Sequence, residues 1–221
     1  VRRGGGAELM RQPALLRSIL AAVRRRVTIP MTVKIRSGWD SASLNALDIA
    51  RLAADEGAAM LAVHGRTRRA LYAGTADWDL VARIKRALDI PVIGSGDLTH
   101  PDAVLFRLAE ASVDGVMIGR AAIDAPWIFG QVLRRARGLG IEPPTPAQRL
   151  GAVLRFRELL AETLEERAYI GRLRGIACRL VRGMPGSASI RQVIGRAASA
   201  NEVEDLVRDA LMGQQALAEV A

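Results

Sequence analysis

Lys34, His64 and Gly94 recur at intervals of thirty residues, and the pair Gly119-Arg120 follows. Lys34 is one of only two lysines in the chain and His64 one of only two histidines. Each of these residues closes a short apolar run: "MTVKIR" at 31–36, "MLAVHGR" at 60–66, "IPVIGSGD" at 90–97 and "DGVMIGR" at 114–120. An ammonium group and an imidazole held side by side can grip or polarise an electron-rich group. A lysine turned inward is costly without such a partner. The glycines of "GSGD" and "GR" let backbone N–H groups approach an anion closely, and Arg120 adds a charge-assisted contact. Together these types describe a site for a phosphorylated cofactor with a polar head group, such as FMN. His100 precedes Pro101-Asp102 at a helix start and reads as a cap.

Such residues need elements to aim them, and the flanking pattern supplies these. The apolar runs are rich in β-branched residues and alternate with helical patterns: "PALLRSILAAVRRRV" at 13–27, "LNALDIARLAADEG" at 44–57, "DLVARIKRAL" at 79–88 and "PDAVLFRLAEA" at 101–111. Strand, helix, strand at this spacing predicts parallel β/α units with right-handed crossovers. A doubly wound sheet and a (β/α)8 barrel are the candidates, and the period near thirty suits the barrel. Alternation along the strands turns Thr32, Lys34 and Arg36, and Ala62 and His64, to the face opposite the helices.

Only four strands precede the Gly/Pro stretch "RGLGIEPPTP" at 137–146, where the beat stops. The expected architecture is therefore α/β, the C-terminal half of a (β/α)8 TIM barrel over residues 1–138, followed by a small all-α domain over 139–221. Four helices are predicted there, at about 146–167, 170–183, 187–199 and 202–219, with capping boxes starting at Thr145 and Asn201. Uncovered strand edges favour self-association of such half barrels.

The chain holds 32 basic and 23 acidic residues, a net charge of +9, which favours a polyanionic partner. From Arg167 to Arg196, both included, the chain holds seven arginines and no acid. Arginine's planar donor fork suits phosphate recognition, so this run is expected to grip nucleic acid through Arg174, Arg179 and Arg182. The single cysteine, Cys178, excludes an internal disulfide and suits a reducing, cytoplasmic setting. No apolar run is long enough to span a membrane, and the pattern implies no membrane partner and no metal.

The blocks "TVKIRSGW", "VHGRTRRALYAGTADW", "PVIGSGDLTHPDA" and "DGVMIGRAAIDAPWIF" resemble the tRNA-dihydrouridine synthases, closest to the bacterial B-type branch. "HGRT" with "AGTADW" is the most diagnostic pair. The resemblance implies an enzyme that uses FMN, reduced by NADPH, to deliver hydride to the C5=C6 bond of a uridine in tRNA. It places the flavin contacts on Lys34 and His64, the phosphate-side turn on Ser95, Gly96 and Asp97, and the Gly-Arg pair on Gly119 and Arg120. Ser95 stands where the family usually has asparagine, so a backbone contact survives the difference and a side-chain amide contact does not. Arg36, Arg66, Arg68 and Arg69 are expected to line the path of the RNA. The family's catalytic cysteine belongs to a "GCP" motif that falls upstream of Val1, so no catalytic residue is assigned within these 221 residues. The resemblance thus implies an N-terminally truncated synthase, inactive alone. Two other readings remain open: a different FMN-dependent barrel acting on a small molecule, and a non-catalytic RNA-binding remnant.

Overall fold

The computed structural model describes residues 4–218, with side chains described as far as Met212. Val1, which the resemblance places just after the cysteine motif, lies outside the described residues, so the expectation of a catalytic group upstream of it stays an expectation. By contacts the chain divides into two compact units, residues 1–119 and 120–221.

In the first unit a 3-10 turn, Gly6–Arg11, leads into α1 (Pro13–Arg26), β1 (Thr32–Arg36), α2 (Ala46–Asp55), β2 (Met60–His64), α3 (Trp78–Arg86), β3 (Val92–Ser95), α4 (Pro101–Glu110) and β4 (Gly115–Met117). Pro13 and Pro101 open their helices, where a missing N–H costs nothing. Gly57 follows α2 at φ 82°, a left-handed stop that suits glycine. His100 caps α4 by accepting a hydrogen bond from Asp102 N through Nδ1 at 3.3 Å, as its position before a proline predicts.

The four strands pair in the order β1-β2-β3-β4, all parallel. Crossovers of one hand running steadily in one direction place every helix on the same face of such a sheet. That face carries Ile35, Leu61, Val63 and Val92, all buried. Ile49, Ala50 and Ala53 of α2, Val81 and Ile84 of α3 and Val104 of α4 are buried as well, and they complete the core. Continuous apolar runs are what a parallel sheet under helices requires.

The second unit is helical: α5 (Arg120–Asp124), α6 (Ile128–Ala136), α7 (Pro146–Ala161), α8 (Glu166–Leu180), α9 (Ser187–Ile194) and α10 (Ala200–Ala218). The Gly/Pro stretch at 137–146 lies inside this unit, because α5 packs against α8. The core of the unit gathers Leu150, Tyr169, Leu173, Leu180, Ile194, Val203, Val207 and Leu211. Thr145 and Gln148 form the predicted capping box, each side chain bonding the other's backbone N–H. The box expected at Asn201 sits two residues earlier. Ser199 Oγ accepts from Glu202 N, and the Glu202 carboxylate accepts from Ala198 N. Asn201 instead accepts from Arg157. The end expected for the last helix, residue 219, lies outside the described residues.

Candidate functional site

Register decides which strand-end residues meet. Arg36 lies opposite His64, His64 opposite Ser95, and Ser95 opposite Met117, in one row across the sheet. Two residues back along β1, Lys34 lies opposite Ala62. Neighbouring strands stand ~4.8 Å apart, so Lys34, Arg36 and His64 share a patch on the face away from the helices. Lys34 is exposed there, while Arg36 and His64 are half-buried.

The patch is electropositive, and its chemistry follows from that. His64 is pushed down from 6.5 to about 4, first by desolvation and then by the charges of Arg36, Lys34 and Arg66, against a smaller opposing effect from Asp97. It is a neutral imidazole at about pH 7. Its Nε2 is buried and meets no hydrogen-bond partner among the described residues. A buried polar nitrogen left without a partner is unusual enough to call for one. Lys34 also sits below its ordinary value, through desolvation and then the repulsion of Arg36. A crowded ammonium beside a neutral, unsatisfied imidazole favours an electron-rich ligand with acceptor or donor edges. That donor set fits the edge of a flavin.

The residues after β2 and β3 do different work from that expected of some of them. Arg66 is 5% exposed, and its guanidinium donates through Nε to Ala73 O at 3.1 Å and through Nη2 to Gly74 O and to the Asp97 carboxylate at 2.7 Å. Asp97 also accepts from Ala76 N at 2.8 Å. Arg66 therefore does not line an RNA path. It is buried because it ties the 67–77 loop to the turn after β3. The Asp97 carboxylate is likewise turned to Arg66 and to a backbone amide, and these contacts shape the turn. Ser95 is buried and donates its hydroxyl to Met117 O at 3.1 Å.

The glycines separate in the same way. A Cβ on Gly94 would lie 2.4 Å from the Trp78 ring, and one on Gly96, at φ 130°, would lie 2.4 Å from Ala76 Cβ. Trp78 Nε1 donates to Gly96 O at 3.1 Å. Packing by the "ADW" segment thus requires both glycines. Gly119 differs, since open space surrounds the place of its missing Cβ. Arg120 is the first residue of α5, in the second unit, and is exposed.

Of the arginines expected to line an RNA path, Arg36, Arg68 and Arg69 remain on the first unit. Arg36 Nη1 donates to Thr67 O at 3.0 Å. Arg68 is half-buried, and Arg69 is exposed and pairs loosely with Asp40 at 3.6 Å. In the second unit the acid-free run is less uniform than its composition suggests. Arg174 Nη1 donates to Gly195 O at 3.2 Å, closing the end of α9. Arg179 pairs with Asp124, an acid brought in from outside the run. Arg172, Arg182 and Arg196 are exposed. Cys178 is half-buried, donates from Sγ to Arg191 O, and has its thiol pushed up by burial. Among the described residues no helix is long and apolar enough to cross a membrane.

The fold and site define a parallel β/α protein with an electropositive patch at the ends of its strands. The chain belongs to the dihydrouridine synthase family, whose model matches residues 1–217. It is 42% identical over 211 residues to tRNA-dihydrouridine synthase B of Xanthomonas campestris pv. campestris, covering 92% of this chain and 62% of that one. It is 40% identical, with the same coverage, to the protein of that name in Xanthomonas axonopodis pv. citri. Against a probable tRNA-dihydrouridine synthase 1 of Synechocystis sp. it is 35% identical, covering 95% of this chain and 59% of the relative. The chain thus spans about three fifths of the length of these relatives. Among solved structures, mandelate oxidase aligns with a TM-score of 0.37 at 17% identity, over 89% of this chain and 70% of that one, a likeness too slight to weigh.

Proposed function

We propose that the protein carrying this sequence binds FMN across the open strand ends and reduces uridine in tRNA to 5,6-dihydrouridine, with NADPH as the reductant. One observation carries this reading. In a chain of this family, the sheet register brings Lys34, Arg36 and a His64 whose Nε2 lacks a partner among the described residues onto one face of the sheet. Lys34 and His64 would hold the flavin, the ammonium placing positive charge beside a ring edge that gathers electron density during reduction. The backbone of Ser95, Gly96 and Gly119 would receive the phosphate, with Arg120 next in the chain, and the open space at Gly119 leaves room for that approach. When bound, FMN supplies the hydride that a uracil C5=C6 bond accepts along with a proton. The low value at His64 keeps the imidazole neutral, so it serves as a hydrogen-bonding group and not as a fixed cation.

The four-stranded sheet is read as the second half of an eight-stranded barrel. The length by which the relatives exceed this chain is of the size that four further β/α repeats need. The helical unit is read as a tRNA-binding domain, with its exposed arginines facing phosphate.

The test is direct. The full-length protein, purified as expressed, should show flavin absorbance, and Lys34→Ala should lower FMN retention. Incubated with NADPH and unmodified tRNA, the protein should yield a product nucleoside heavier by two hydrogens. A purified protein that ignores FMN, or one that holds FMN and leaves every uridine unreduced, refutes the reading.

A further inference from the structure

We propose that Tyr72 is the side chain on which the target base stacks, and that the 67–77 loop takes its form to present that ring. The inference rests on the reading that the strand ends receive a uridine of tRNA, and it names the residue that holds the base.

Two guanidinium groups grip four carbonyls of this loop. Arg36 Nη1 donates to Thr67 O at 3.0 Å and to Leu71 O at 3.4 Å. Arg66 donates to Ala73 O at 3.1 Å and to Gly74 O at 2.5 Å. Further bonds run from Ala70 N to Thr67 Oγ1, from Arg68 N to Gly38 O and from Arg69 N to Trp39 O. Surface loops ordinarily move and tolerate variation. This one is clamped on both sides of a two-residue tip.

At the tip, Leu71 adopts φ 51°, in the left-handed region that a branched side chain rarely enters. Such a conformation persists only where the surroundings over-determine it, and it concentrates at functional sites. The outcome is that Leu71 and Tyr72, two large side chains, stand 51% and 53% exposed on a loop that is otherwise fixed. Burial does not explain the clamp, because the clamp holds these residues outside.

Position and chemistry point to the same occupant. Arg36 donates to the carbonyl of Leu71, the residue before Tyr72, and lies opposite His64 in the sheet register. The loop tip that carries Tyr72 therefore borders the proposed flavin patch. A tyrosine has few torsions to freeze, and every nucleobase offers a π-face to stack on it. The neighbouring Arg68 and Arg69 supply positive charge for the phosphates, so the loop divides its labour between backbone and base. A uridine drawn out of its stack needs such a surface in place of the neighbours it leaves.

The experiment uses the full-length flavoprotein and a tRNA transcript carrying 4-thiouridine in place of uridine. Irradiation should cross-link Tyr72, located by mass spectrometry of the digested complex. Tyr72→Ala should abolish that cross-link and raise KM for tRNA about tenfold, with flavin content and NADPH consumption in the absence of tRNA unchanged. Tyr72→Phe, which keeps the ring, should behave as wild type. Because the residue is exposed, both variants should unfold at the wild-type denaturant midpoint. A Tyr72→Ala protein with wild-type KM and cross-links, still forming dihydrouridine, overturns this inference and leaves the functional reading standing. A Tyr72→Phe protein as impaired as Tyr72→Ala also overturns it, since the hydroxyl and not the ring would then matter. A wild-type protein that forms no dihydrouridine defeats the functional reading and this inference together.

Discussion

Replacing Gly96 with alanine separates two explanations for the "GSGD" turn. In one, the glycine lets the backbone approach a phosphate; in the other, packing forbids a side chain. The structure favours packing, because an added Cβ would sit 2.4 Å from Ala76 Cβ at a backbone φ of 130°. Two costs follow. Overpacking a tight contact costs roughly 1–3 kcal/mol, and holding a non-glycine residue in a sparsely allowed conformation costs roughly 1–3 kcal/mol more. Gly96→Ala should therefore destabilise the protein by roughly 2–6 kcal/mol. Ala76→Gly removes the opposing methyl, which costs ~1 kcal/mol of burial on its own. Combined in one protein, the two changes should recover the overpacking part and leave the conformational part. The double-mutant cycle should then show a favourable coupling of roughly 1–3 kcal/mol. Urea unfolding of the four proteins measures it, with FMN affinity read in parallel. Coupling near zero, with stability intact and FMN affinity lost on Gly96→Ala, would refute the packing explanation and make close approach to the phosphate the reason for a glycine there.

Two further predictions concern the same surfaces. His64 falls from 6.5 to about 4 on folding, so between those values the unfolded chain binds the extra proton and stability drops as pH falls, by at most about 3 kcal/mol. That loss should be complete near pH 4 and absent above about pH 7, and His64→Gln should flatten the slope of urea midpoint against pH in this window. An unaltered slope in the variant would assign the effect elsewhere. In the helical unit, Arg172→Glu with Arg182→Glu should weaken tRNA binding across sequences and reduce its salt slope by about one for each phosphate no longer neutralised. Arg174 is a poor probe, since it closes α9 and its removal would disturb the fold; a slope unchanged in the Arg172 and Arg182 pair would count against this face.

Much of the first unit was legible from spacing alone. The thirty-residue interval between Lys34, His64 and Gly94 marks successive parallel strands, and the structure delivers β1, β2 and β3 there, while the register sets His64 against Arg36 and Ser95. Local rules carried the helix ends too, in the caps at His100 and Thr145. Local rules also put the second capping box at Asn201, two residues past Ser199, because both residue types cap well. Only the packing of Asn201 toward Arg157 distinguishes them.

What the chain's own order determined, then, is periodicity: a residue's side of a strand or helix follows from its immediate neighbours, so the face bearing Lys34, Arg36 and His64 could be read directly. Which cations on that framework stay available was a tertiary decision. "HGRTRR" gives no sign that Arg66 is buried on Asp97 while Arg69 stays in solvent, or that Arg179 finds Asp124. Nor do the glycines of "GSGD" announce that Trp78 and Ala76 press on them. Those partners lie tens of residues away along the chain. Charge pairing and close packing act through space, where sequence separation carries no information about distance.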